Sequence, residues 1–227
     1  METTQKKIAV IVYGAPGAGK GTQANLLAAK FGLIHVDTGR LLESILHDPK
    51  RQKEKIVRRE RKLFDGGQLN SPSFVTQEII NVMEKIHAAG YGAAFSGSPR
   101  TLYEAERFYP AVGRLYGRKN IYVFVLAVPP ESSLKRNSAR RICTTCGYEL
   151  LTAFYPTKNP KHCPVCGGKF YKRSLDKPSI IKVRLKEYAE RTEPVFEFAK
   201  KHGYPPKKID GTPAPYLVFQ KLEKLIK

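Results

Sequence analysis

Unbroken apolar runs that stop at glycine set the frame of this chain. Ile8 to Tyr13 is apolar throughout and ends at Gly14, the pattern of a strand buried on both faces. Behind the glycine-rich turn, Ala24, Leu27, Ala28 and Phe31 recur at helical spacing, with Gly32 as the stop. Ser71-Pro72 reads as an N-cap followed by proline at the first helical position. Val75, Ile79, Val82, Met83 and Ile86 then form an apolar helical stripe that Gly90 closes. Tyr91 to Phe95 and Ile121 to Val128 are further predicted strands, and a C-terminal helix carries Phe219, Leu222 and Leu225. Strands alternating with helices predict an α/β fold, a parallel sheet with helices on both faces.

Two stretches break that rhythm. Residues 47–65 are charged and predict a helix, while residues 142–176 hold all four cysteines among short strand-like pieces. Each reads as an insertion between core elements. There is no internal repeat and no low-complexity tract.

Length narrows the picture to one large α/β domain, or a domain with inserted subdomains, at 227 residues. A hydrophobic share of 41% and a charged share of 26% exclude wholesale disorder. No apolar run approaches the ~18 residues of a membrane span, and Met1 to Lys7 shows no signal-peptide cleavage pattern. The expected location is the cytoplasm, with no membrane partner. Charge changes the picture more: forty Lys and Arg against twenty Asp and Glu leave +20. Such a balance favours polyanions, although the basic residues are spread along the chain, as solvated faces would have them.

The strongest candidate chemistry is Gly14-Ala15-Pro16-Gly17-Ala18-Gly19-Lys20-Gly21-Thr22. It follows a predicted strand and opens a predicted helix, the context that a phosphate-binding loop requires. Glycines let the backbone wrap phosphate oxygens, the helix N-terminus points free N–H groups at the same anion, and Lys20 adds a cation for the outer phosphates. The second signal is Cys143-x2-Cys146, sixteen residues, Cys163-x2-Cys166, each pair followed by glycine. That spacing is a structural zinc signature with four thiolates and no open position. A redox pair or two disulfides are the alternatives, and iron suits the same tetrahedron.

The loop Gly-Ala-Pro-Gly-Ala-Gly-Lys-Gly-Thr-Gln, with glycine at position 21 and its hydroxyl one later at Thr22, resembles the adenylate kinases and related nucleoside monophosphate kinases. The likeness runs on in order. His35-Val36-Asp37-Thr38-Gly39 looks like the start of the monophosphate-binding segment, and Gly97-Ser98-Pro99-Arg100-Thr101 like the motif after the third strand. Arg136, Arg140 and Arg141 precede the first cysteine pair as lid arginines do. Arg173 and Arg184 match two more, with Arg184 to Tyr188 resembling the helix after the lid. Ile209-Asp210-Gly211-Thr212 resembles the segment lining the adenine of ATP.

This resemblance implies a P-loop core at 1–36, 71–130 and 176–227, a monophosphate-binding helical insertion at 37–70 and a zinc-bearing lid at 131–175. It implies transfer of the γ-phosphoryl group of ATP to a nucleoside monophosphate, AMP by default, with Mg²⁺, by a monomer. By the same resemblance Lys20, Arg100, Arg140, Arg173 and Arg184 are catalytic. Gly17, Ala18, Gly19, Lys20, Gly21, Thr22, Arg136 and Pro213 hold ATP. Thr38, Gly39, Arg40, Leu69, Gly97, Arg100 and Glu104 hold the acceptor. The residue types suit the chemistry, since phosphoryl transfer needs positioning and charge neutralisation and arginine grips phosphate bidentately. The lid aromatics Tyr148, Phe154, Tyr155, Phe170 and Tyr171 are expected to form its small core.

The acceptor side departs from the family pattern. Arg40 stands where an aspartate is usual and Glu43 where an arginine grips the monophosphate. Ser96 replaces the aspartate that organises water around Mg²⁺, Ser98 an aromatic residue, Glu104 a glutamine that reads adenine, and Leu175 an aspartate beside the retained Asp176. Arg40 and Glu43, three apart on a predicted helix, are expected either to pair, with Arg40 turned to the acceptor phosphate, or to face solvent while another basic group serves the acceptor. The substitutions leave open a different acceptor or a weakly active nucleotide-binding relative. A third reading, nucleic-acid binding through the charge and the cysteine unit, would show as steep salt dependence.

Overall fold

The computed structural model describes residues 7–226 apart from 151, 153, 154 and 156–159. Phe154 of the expected lid core lies outside the described residues. The order of elements is β1 (Ala9–Gly14), α1 (Lys20–Phe31), β2 (Leu33–Asp37), α2 (Thr38–Leu46), α3 (Lys55–Asp65), α4 (Pro72–Ala88), β3 (Gly92–Ser96), α5 (Leu102–Tyr116), β4 (Ile121–Ala127), α6 (Pro130–Ala139), β5 (Arg141–Cys143), β6 (Glu149–Leu150), β7 (Phe170–Tyr171), α7 (Pro178–Glu187), α8 (Pro194–Lys201), β8 (Lys207–Asp210) and α9 (Pro215–Glu223).

Five strands make one parallel sheet in the order β2-β3-β1-β4-β8. The central strand β1 explains the unbroken apolar run. Ala9, Ile11 and Tyr13 enter one core with residues of α4, α5 and α8, while Val10 and Val12 enter the other with residues of α1 and α9. Both faces are covered, so neither set can be polar. Because every strand is parallel, Gly14, Asp37, Ser96, Ala127 and Asp210 end at one edge of the sheet, where α/β proteins bind ligands.

Two units rise over that edge. Helices α2 and α3 stand between β2 and α4 and send Leu42, Leu46, Val57 and Phe64 into the main core. Strands β6-β5-β7 form a small antiparallel sheet that buries Ile142, Leu150, Cys143 and Cys163.

Several expectations need correction. Tyr148 and Tyr171 are exposed, so they are not the lid's core; a sheet this small buries one face only. Ser71 precedes α4 but does not cap it with its side chain. Its N–H and hydroxyl instead donate to the fully buried Glu60 of α3, at 2.8 and 2.6 Å. In α9 the buried positions are Val218 and Leu222, whereas Phe219 is half-buried and Leu225 lies past the helix end. Strands β2 and β8 escape a reading by hydrophobic pattern because Ile34 is exposed and β8 is Lys-Lys-Ile-Asp. No described helix is long and apolar enough to cross a membrane.

Candidate functional site

The turn from β1 into α1 is built on Gly19, which caps the helix at φ 95°, a conformation costly for any residue with a Cβ. Gly17, Ala18, Gly19, Lys20, Gly21 and Thr22 line a cavity of about 770 Å³, with the start of α1 turned toward it. Lys20 Nζ donates to the carbonyls of Gly14 (2.8 Å) and Ala15 (3.0 Å). Burial, and then the charges of Arg100 and Arg184, push its pKa well below the ordinary lysine value; Asp37 opposes them.

Four arginines from four places complete a ring of cations on the same cavity: Arg100 before α5, Arg140 at the end of α6, Arg173 after β7 and Arg184 on α7. Arg100 Nε donates to the Gly97 carbonyl at 2.5 Å. Burial and then Arg100, Arg140 and Arg173 push Arg184 down to about 9, still charged at neutral pH. For Arg140 burial acts in the same sense, but hydrogen bonds and charge from Asp176 outweigh it and raise the pKa. Cations that depress one another's pKa values hold repulsion that a bound phosphate would relieve.

Thr38, Gly39, Leu69, Gly97 and Glu104 line the other part of the cavity, beside the apolar side chains of Leu42, Phe64 and Val75. Thr38 Oγ1 donates to Ser98 Oγ at 3.1 Å. Glu104 is buried, which raises its pKa; hydrogen bonds from the Arg100 amide and the Thr101 hydroxyl, each at 3.0 Å, work against the rise. On the ATP side expected from the sequence, Arg136 donates to the carbonyls of Gly211 and Thr212, both at 2.8 Å, and Pro213 lines the cavity.

Two of the sequence-predicted arginines are not in the cavity lining. Arg141 lines a separate shallow groove on the lid. Arg40 sits at the rim, and the expected Arg40–Glu43 pair is absent. Arg40 Nη2 instead donates to Glu149 of β6 at 2.9 Å, and Glu43 accepts from Arg173 Nη2 at 2.8 Å. Both partners belong to the lid, which offers opposite charges at closer range than the neighbouring turn of α2.

The sequence places Asp37 in the monophosphate-binding segment but gives it no role of its own. Asp37 caps α2 by accepting the Arg40 N–H at 3.2 Å, and a Cβ on Gly21 would touch its carboxylate at 3.7 Å. An acid directly before Thr-Gly and an amphipathic run was the available signal. Sequence reasoning missed the contact of His35 Nε2 with Ser96 Oγ at 2.7 Å, the other ring nitrogen lying 2.5 Å from Asn25 Oδ1. Burial pushes the His35 pKa down.

The four cysteine sulfurs lie within 4.8 Å of one another, with Cys143–Cys166 at 3.4 Å and Cys146–Cys163 at 3.7 Å. All four are free thiols, and these separations exceed a disulfide bond while matching the ~3.8 Å edge of a tetrahedron with ~2.3 Å zinc–sulfur bonds. The amides of Cys146 and Thr145 point at Cys143 Sγ and lower its pKa to about 6 against the opposing effect of burial. Gly168 is required here, since a Cβ would stand 2.9 Å from that sulfur.

A phosphate loop at the carboxyl edge of a parallel sheet, facing a ring of arginines carried partly by a lid, defines a P-loop phosphotransferase. The family profile described as adenylate kinase matches residues 12–204. The chain is 34% identical to the adenylate kinase of Caldicellulosiruptor saccharolyticus over 86% of this chain and 87% of the relative. It is 33% identical to that of Lachnospira eligens over 96% and 99%, and 35% identical to that of Elusimicrobium minutum over 96% and 97%. The chain belongs to the adenylate kinase family, the phosphotransferases that move a phosphoryl group between ATP and AMP.

Proposed function

We propose that this chain runs ATP + AMP ⇌ 2 ADP with the donor phosphates on the loop of residues 14–22 and the acceptor phosphate on Arg100. The observation that carries the reading is the convergence of Lys20, Arg100, Arg140, Arg173 and Arg184 on one cavity. Lys20 and the amides at the start of α1 hold the donor's outer phosphates. Arg140, Arg173 and Arg184 neutralise the charge of the group in transit, and Arg100 holds the acceptor in line with it. The acceptor phosphate is already an anion, so no general base is needed. Arg136 with the 211–213 segment takes the adenine end of ATP. Thr38, Gly39, Leu69, Gly97 and Glu104 take the acceptor nucleoside. A closed lid excludes water as a competing acceptor.

Thr22 and Asp37, on the cavity near the loop, are the hard oxygen donors suited to Mg²⁺. Held there, Mg²⁺ would neutralise part of the donor phosphate charge. Zinc on Cys143, Cys146, Cys163 and Cys166 staples a lid whose core is too small to stand alone. We read the core as 1–36, 71–130 and 176–227, the acceptor insertion as 37–70 and the lid as 131–175. A cytoplasmic monomer is the matching biological form. A different acceptor, or a weakly active relative, gains no support from relatives that are named adenylate kinase.

The test is a coupled assay over AMP, CMP, UMP, GMP and their deoxy forms. AMP should give the highest kcat/KM; preference for another base by tenfold or more would overturn the acceptor assignment.

A further inference from the structure

The contact between Glu43 and Arg173 joins two units that the chain separates by 130 residues. Glu43 stands on α2, and Arg173 follows the last strand of the lid sheet. One edge of the guanidinium is occupied: Nη2 donates to Glu43 Oε2 at 2.8 Å. Arg173 Nε is buried and has no hydrogen-bond partner among the described residues, while the side chain lines the nucleotide cavity. An unpartnered buried N–H is costly, so a turn of the guanidinium that brings it to a phosphate oxygen in the adjoining cleft would be favoured.

Arg140 offers the comparison. Its brace, Asp176, stands where the chain leaves the lid for the core and grips it through Nε at 2.9 Å and Nη2 at 2.5 Å. That brace does not involve α2 and needs no contact across the cleft. The brace of Arg173 comes from across the cleft and exists only while the lid rests on α2. A second bridge spans the same gap with the charges reversed, Arg40 Nη2 on α2 to Glu149 Oε1 on β6 at 2.9 Å.

We propose that Glu43 is a positioning residue acting through Arg173: its carboxylate, carried on α2, orients the guanidinium so that Arg173 presents its free edge to the cleft only when the lid is down. The carboxylate that looks misplaced beside an acceptor phosphate would then serve the transfer by coupling lid closure to the arrangement of the cationic ring. The kinetic part of this inference rests on the reading of Arg173 as a phosphate-binding group; the closure part does not.

The experiment compares wild type, Glu43→Gln and Glu43→Asp by hydrogen–deuterium exchange of residues 141–150 without nucleotide, and by steady-state kinetics with ATP and AMP. Exchange in Glu43→Gln should be about two- to five-fold faster at low salt, the size a partly exposed ion pair supports. About 0.5 M NaCl should bring wild type toward the same level. The turnover number should fall about three- to ten-fold with the KM for ATP changed by less than about two-fold, and Glu43→Asp should recover part of both losses. If Glu43 merely repels the acceptor, Glu43→Gln will lower the KM for AMP, raise kcat/KM and leave exchange unaltered, which overturns the proposal. Faster exchange with unchanged turnover also overturns it, leaving Glu43 a latch and no more. Exchange needs no turnover, so a wild type inactive on every monophosphate would sink the cleft assignment while the contact is still judged by exchange.

Discussion

Asp176 holds Arg140 by two hydrogen bonds, to Nε at 2.9 Å and to Nη2 at 2.5 Å, with the acid's side chain 2% exposed and the arginine's 18%. A guanidinium gripped on two atoms has its plane fixed, with Nη1 3.9 Å from Glu149 and the side chain lining the cavity. Asp176→Asn should keep the fold but lower the turnover number about ten-fold, because the amide NH2 cannot accept one of the two guanidinium N–H groups and the negative charge of Asp176 is lost. Asp176→Ala should cost about 3–5 kcal/mol of stability by removing the close partner of a largely buried cation, whose other acid, Glu149, stands 3.9 Å away. Thermal melts beside kinetics separate the two effects.

Lys20→Ala should reduce turnover by about 10²–10³-fold, the loss typical when one electrostatic contact to a transition state is removed. Its stability should hold or rise. Burial and two nearby arginines depress the Lys20 pKa, so the charge opposes folding in the ligand-free state. A melt showing strong destabilisation would contradict this.

Metal analysis of protein purified without chelator should find one zinc per chain. Removing it, or replacing Cys163 by Ser, should loosen the lid and expose residues 141–171 to protease first. Chemistry should fall only through the lid, since four thiolates leave no open coordination position. Two disulfides under reducing conditions would refute the metal site.

Glu60 should govern acid stability. Burial raises its pKa, but hydrogen bonds from Ser71, Arg59 and Asn70 outweigh that and hold it below the ordinary value. A carboxyl with a folded pKa below its unfolded value of ~4.3 contributes fully above that pH and loses its contribution as pH falls through the folded pKa. Glu60→Gln should therefore flatten the dependence of the melting temperature on pH below about 4.3. Glu60→Ala should cost about 2–4 kcal/mol by stranding the Ser71 N–H and hydroxyl; the buried Asn70 amide keeps its bond to the main-chain carbonyl of residue 60.

Glu104→Gln should lower the KM for AMP about three- to ten-fold. Adenine presents an amino donor beside a ring-nitrogen acceptor; an ionised carboxylate can only accept, whereas an amide can do both. Protonated Glu104 can also donate, and burial raises its pKa. The native KM for AMP should thus rise as pH climbs through that value, and the Gln variant should not show the rise. Parallel pH profiles decide it.

Much of this molecule is set by short stretches of sequence. The apolar run of β1 requires a strand covered on both faces, Gly19 suits a left-handed turn, and two Cys-x2-Cys knuckles bring four sulfurs to one place. The P-loop, the cysteine set and most of the arginine ring could be read because each signal is local in the chain or tied to a motif. The pattern of the short strands β2 and β8 was too polar to announce them; their place is fixed by pairing with β3 and β4. Which acid meets which base was decided only in three dimensions. Arg40 and Glu43 sit three residues apart on α2, yet each bonds across the cleft, to Glu149 and to Arg173. Helical spacing brings charges within reach, but partner choice depends on desolvation and distance to everything else folded nearby, and that distance is a property of how the lid and α2 meet.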